Sequence, residues 1–135
     1  MANSLYDIAR HDFATAALDW VSITTIKVAL VDTGVYTYSA AHQYYSSVSS
    51  GVVGTPVALT SRAVGASTGC DADDSTFTAV TGASVEALVI YIDTGTAGTS
   101  RLVAYIDTAT GLPITPNGGD IIVIWDSGTN RIFRV

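Results

Sequence analysis

The sequence predicts an α+β, mainly β fold: an N-terminal helix followed by an antiparallel β-sandwich or barrel of about seven strands. Three observations carry that prediction. Apolar residues among the first twenty positions recur at helical spacing. From residue 21 onward the pattern changes to runs rich in Val, Ile, Thr and Tyr, broken by Gly-containing turns. Hydrophobic residues make up 48% of the 135 and charged residues only 13%, against a usual charged share of about 25%.

Leu5, Ile8, Ala9, Phe13, Ala16 and Ala17 place a helix over about residues 4–18, capped by Asn3 or Ser4 and ending before Trp20. Residues 1–20 therefore form a helical segment and 21–135 a β region, together one domain. Candidate strands are 21–31, 52–64 (interrupted at Pro56), 75–81, 84–93, 101–107, 120–126 and 130–135. Between them, "SAAHQYYSSV" at 39–48 reads as a short helix capped by Ser39 that brings Tyr44 and Tyr45 together. Residues 61–75 and 108–120 read as exposed connections.

One phrase recurs: "VALVDTG" at 28–34, "VIYIDTG" at 89–95, "VAYIDTATG" at 103–111 and "IVIWDSG" at 122–128. Hydrophobic-Asp-Thr-Gly is also how an aspartic protease presents its carboxylate, but that chemistry needs two carboxylates about 3 Å apart. Asp32 and Asp93 are too close in sequence to belong to two lobes, each the size of this chain. The simpler reading is hairpin punctuation, in which Asp accepts a hydrogen bond from the backbone two residues on and Gly takes positive φ. It joins 84–93 to 101–107 and, through "SGTN", 120–126 to 130–135.

Other catalytic patterns are weak. "GASTG" at 65–69 matches a nucleophile elbow, but both histidines, His11 and His42, lie upstream of it. Asp32, His42 and Ser67 run in a triad order without any spacing that supports one. Asp71, Asp73 and Asp74 could offer oxygens to calcium, yet no turn glycine and final bidentate acid follow at the required offset. No zinc spacing or phosphate loop occurs, so no enzyme, metal or cofactor is expected. Cys70 reads as a small inert thiol in a chain without an internal disulfide, which suits a reducing cytoplasm.

A net charge of −6 without any Lys/Arg cluster excludes a nucleic-acid footprint. No apolar run reaches the roughly 18 residues of a membrane span, and the N-terminus does not read as a secretory signal. Low charge leaves part of the surface to be covered by assembly. Strand 84–93 and the run "IIVIW" at 121–125 are apolar on both faces, so each is buried twice or meets a neighbour. The helix stripe of Leu5, Ile8 and Phe13, with Trp20, Tyr44 and Tyr45, makes up the candidate interface.

"LYDIARHDF", "IKVALVDTGVYTYSAAHQYYSSV" and "DADDSTFTAVTG" are followed by "SRLVAYIDTATGLPITPNGGDI" at 100–121 and "WDSGTNRIF" at 125–133. Over nearly its whole length this order of phrases resembles small virion structural proteins of tailed bacteriophages, of the capsid decoration (cement) kind. The resemblance implies a β-rich homotrimer at local threefold positions on the capsid surface. Its partners would be itself and the major capsid protein, and it would be made in the bacterial cytoplasm. A tail or neck component is the nearest alternative. An exposed carbohydrate-binding module is another, resting on Tyr36, Tyr38, Tyr44, Tyr45 and Trp125, with a hydrolase third.

Overall fold

A computed structural model of the chain describes residues 3–65, 69–109, 111–125 and 132–134. The fold is α+β and mainly β. In chain order the described elements are β1 (Ser4–Leu5), α1 (Asp7–Ala14), β2 (Ile26–Val31), β3 (Val52–Ala58), β4 (Ala63–Val64), β5 (Gly69–Asp71), β6 (Ser75–Phe77), β7 (Ala87–Ile92), β8 (Leu102–Ile106), β9 (Ile121–Val123) and β10 (Phe133–Arg134). A five-stranded antiparallel sheet runs β1-β8-β7-β2-β3, accompanied by a three-stranded sheet β10-β5-β4 and the pair β6-β9. The large sheet is open, so the architecture is layered and not a barrel. There are more strands than the expected seven because 52–64 divides into β3 and β4, while 4–5 and 69–71 also pair.

The large sheet is buried on both faces, as the double-faced apolarity of 84–93 predicts for β7. Ile26, Val28 and Leu30 of β2 share one face with Leu88 and Ile90 of β7, against Trp20, Phe77, Val80 and Trp125. Ala29 and Val31 share the other with Ala87, Val89 and Tyr91, beneath Tyr6, Tyr36 and Val48. A register shift between Ile90 and Tyr91 gives β8 an extra residue there. Val103 thereby joins Ala104 on the first face while Leu102 and Tyr105 stay on the second.

Several boundaries differ from expectation for identifiable reasons. Residues 21–25 form a turn, since Asp19 Oδ1 accepts from the backbone N–H groups of Val21 and Ser22, both at 3.1 Å. β3 runs through Pro56, which its edge position permits. The step from Val53 to Val57 opposes only Leu30 to Val28, and Gly54, at φ +72°, absorbs the excess. At 39–48 no α-helix forms: Ser39 closes a turn to His42, and only Tyr45–Ser47 and Ser49–Gly51 are helical, as short 3-10 turns. The connection 61–75 is no open loop, because β4 and β5 pair there and bury Cys70. Nor does β9 pair with β10 among the described residues: β9 lies on β6, and β10 on β5. The "SGTN" turn itself lies outside the described residues.

The helix is shorter than its stripe, Asp7–Ala14 in place of 4–18. Ser4 and Leu5 pair with Tyr105 and Ala104 of β8, and Tyr6 is still extended. Neither Asn3 nor Ser4 caps the helix; Asn3 Oδ1 instead accepts from the backbone N–H groups of Asp107 and Thr108, both at 2.9 Å. At the other end Ala16 takes φ +60°, so Ala16 and Ala17 are exposed, not part of a stripe. The buried helical residues are Ala9 and Asp12. Asp12, 2% exposed at its side chain, receives both Arg101 Nε (2.7 Å) and Nη2 (2.8 Å). This two-point ion pair fastens α1 to the start of β8.

Arg101→Met strands the Asp12 carboxylate without its main counter-charge and should cost about 3 kcal/mol. The urea midpoint should fall with an unchanged slope, and Asp12→Leu/Arg101→Met should regain part of the loss. A wild-type midpoint for Arg101→Met alone would show that the pair does not hold the helix.

Candidate interaction surface

The recurrent Asp phrases are turns where they can be followed. Asp32 Oδ1 accepts from Gly34 N–H at 2.8 Å, and Asp93 Oδ1 from Gly95 N–H at 2.9 Å, with Gly95 at φ +88°. The third corner is built differently: Asn3 takes the N–H groups of Asp107 and Thr108. Asp126 lies outside the described residues. β2 and β7 pair from Ile26↔Ile92 to Val31↔Ala87, so Asp32 and Asp93 stand at opposite ends of the strand pair, about 20 Å apart at strand rise. No proton is shared between them within one chain. Asp93 binds Lys27 Nζ at 2.8 Å instead.

The remaining candidate groups have structural occupations. His42 Nδ1 meets Tyr36 Oη at 2.9 Å, and Tyr36 Oη meets Tyr6 Oη at 2.9 Å. Burial, then the Tyr36 contact, pushes the Tyr6 hydroxyl far above its ordinary pKa, so it stays protonated. Glu86 accepts from the N–H and hydroxyl of Thr33 at 3.0 and 3.1 Å. Asp74 Oδ1 accepts from Trp125 N–H at 3.1 Å, and the Asp71 carbonyl from Trp20 Nε1 at 3.0 Å. No three His, Cys, Asp or Glu side chains converge among the described residues. Burial pushes the Cys70 thiol up to about 11, which suppresses thiolate. Ser67 of the elbow motif lies outside the described residues.

The residues expected at an interface are scattered. Leu5 and Phe13 line an open groove of about 700 Å³ with Ala104, Ile106, Ile132 and Phe133. Ile8 packs into the tyrosine layer on the opposite face of the sheet. Trp20 is buried, edge-on to Phe133 at 5.2 Å. Tyr45 stacks on Tyr91 at 4.0 Å, whereas Tyr44, half-buried, bridges to Arg101 through its backbone. They form no single patch. Of the aromatics named for sugar binding, Tyr36 and Trp125 are buried, and half-buried Tyr38 stacks on Tyr105 at 4.5 Å in a shallow pocket with Thr33 and Thr37.

The most exposed large apolar side chains lie elsewhere, on β9 and the residue after it. Ile121, Val123 and Trp125 face the core, while Ile122 and Ile124 are 60% and 76% exposed. Each run read as apolar on both faces thus met a different fate: β7 is covered twice, β9 once. The signal for β9 was the run "IIVIW" itself, although its outward residues are absent from the expected interface set. Among the described residues no helix is long and apolar enough to cross a membrane.

The turn chemistry yields a separable prediction. The Asp93 carboxyl is held below its ordinary value, first by Lys27 and then by the Gly95 N–H. Its stabilising contribution is therefore full above about pH 4 and lost as pH falls through the lower folded value. Asp93→Asn keeps an amide oxygen for the turn but loses a partly exposed ion pair, about 0.5 kcal/mol at pH 7. Gly95→Val forces a β-branched residue into positive φ, about 1–2 kcal/mol at any pH, although a Cβ there meets nothing within 4 Å. Thermal melts at pH 7 and pH 3 should show the Asn deficit shrinking in acid and the Val deficit persisting. Equal, large losses at both pH values would contradict the turn assignment.

No protein-family model matches the chain, and no curated protein matches it.

Proposed function

We propose that this chain is a structural virion protein of the capsid decoration kind. It assembles with copies of itself and seats on the major capsid protein of a tailed-bacteriophage head. The observation that carries the docking on a partner is the outward side of β9 and of the residue after it: Ile122 and Ile124 are exposed there, and among the described residues β9 pairs with β6 alone. Scattered single apolar residues are ordinary on a protein surface, but neighbours on a bare strand edge are a site for pairing. A 13% charged share supports the same reading, because little of the exterior is committed to charge. So does the resemblance across nearly the whole chain, which supplies the head as partner and the trimer as stoichiometry.

The test uses the purified chain and heads of tailed phages stripped of their own decoration protein. Light scattering at micromolar concentration should report a trimer, and the chain should co-sediment with at least one head type to saturation. A monomer at every concentration that coats no head would overturn the reading. Attachment only to tails or necks would replace the head with the alternative location.

A further inference from the structure

We infer that the free edge of β9, with Ile122 and Ile124, docks an extended apolar segment of a partner protein whose flanks carry Lys or Arg. The segment would be taken up as an added strand. The inference rests on the assembly reading above and adds the chemistry of the partner.

The strand edges of this protein are not alike. On the large sheet, β3 is blunted by Pro56 and by the bulge at Gly54. The β8 edge is covered by β1, by Tyr6 N–H on the Val103 carbonyl (3.0 Å) and by Asn3 on the N–H groups of Asp107 and Thr108. β4, at the edge of the three-stranded sheet, is only two residues long. These are the usual ways of keeping an edge from pairing. β9 is short as well, at three residues, but it has no proline, bulge or Lys, and among the described residues no strand lies on its second side.

β9 is also held ready. Its inward residues Ile121 and Val123 pack on the core, and Trp125 Nε1 lies 3.3 Å from Ser75 Oγ. At one end Trp125 N–H is held by Asp74, and at the other Asp120 Oδ1 accepts from Ala79 N–H at 2.9 Å. A strand already ordered loses little freedom when it is paired, so main-chain hydrogen bonds to an incoming strand act at nearly full strength. The outward side chains then read alternate residues of that strand.

Charge selects the occupant. Ser75 lies opposite Val123, so Asp74 and Asp73 stand across from Ile124 and Trp125 on the β6 side, one strand spacing behind the free edge, and Asp120, bonded to Ala79 N–H, precedes Ile121 at the other end. Arg10, Lys27 and Arg101 are paired with Asp7, Asp93 and Asp12, and Arg62 donates to the carbonyls of Trp20 and Ile23. None of these four reaches the β9 acids. A second copy is disfavoured: antiparallel self-pairing centred on Ile122 would set each Asp120 against Ile124, beside the other copy's Asp74. A partner strand flanked by bases meets the opposite situation, with apolar residues on the isoleucines and positive charge at both acidic ends.

The experiment uses the full chain and a short peptide in which Val and Thr alternate between paired terminal lysines. A control peptide carries glutamates in place of the lysines. The Lys peptide should bind saturably, slow amide exchange at 121–124 by about tenfold or more, and weaken as salt is raised. The Glu peptide should leave exchange unchanged. Ile122→Thr/Ile124→Thr should weaken the Lys peptide by about tenfold while the melting temperature holds, since both positions are exposed and Thr suits a strand. Equal binding of both peptides, or unchanged exchange at 121–124, would overturn the inference. So would loss of the trimer in the Thr variant without peptide, which would make a second copy the occupant. Heads that take up the Thr variant as tightly as the wild type would refute the docking site and leave the assembly reading intact. Peptide binding at β9 with no head coated would do the reverse.

Discussion

β2 and β7 are apolar on both faces, and the layers packed around them answer that demand. A sheet of that kind is stable only when each face is taken out of water, and here the chain itself supplies both covers. It does so with different materials. One cover consists of small sheets and indoles, with Trp20, Phe77 and Trp125 over Val28, Leu30 and Ile90. The other is a layer of tyrosines from residues 6, 36, 38 and 45, whose rings pack on Tyr91 and Tyr105. Tyrosine suits a cover so close to the surface: its ring buries area, and its hydroxyl can reach a partner at the rim, as Tyr36 does with His42, although the buried Tyr38 hydroxyl has none.

Covering both faces explains the fate of the N-terminal segment. Leu5 extends the sheet, Tyr6 enters the tyrosine layer, and Ala9 and Phe13 turn to the opposite cluster. The segment wraps the β8 edge and contributes to both layers. Asp12 is the unusual member, a carboxylate buried to place one short helix. Its two contacts with Arg101 set both the height and the rotation of α1 on β8, which apolar packing alone leaves free to slide. Chain spent on the large sheet is not available to its neighbours, and β9 keeps its outward isoleucines bare.

The fold class was legible because it depends on local patterning. Val, Ile and Thr around Asp-Thr-Gly marked β7 and its hairpin with β8, and the turn at Asp93 has the hydrogen bond that Asp two residues before a glycine implies. Legibility ended where pairing became non-local. Leu5 fits a helical stripe and a strand equally well; β8, a hundred residues away, decides between them. The segment at 61–75 is polar and small, yet β5 forms there because β10 comes to lie along it. The shared phrases before Asp93 and "WDSG" suggested two equivalent hairpins, but β9 finds its partner in β6. Of the candidate site, the run "IIVIW" was legible as an anomaly, while the choice of outward residues was not.

Residue chemistry read along the chain is enough to mark it as β-rich, poor in charge, broken by Asp and Gly corners, and more apolar than one solvated sheet requires. Those properties follow from side-chain chemistry within a few residues, and no partner strand is needed to express them. Which apolar faces are covered and which stay bare emerges once strands distant in the chain have paired and packed. β7 and β9 carry similar runs, yet burial is a property of neighbours: β7 lies between two covers, whereas β9 packs one face on the core and leaves Ile122 exposed on the other.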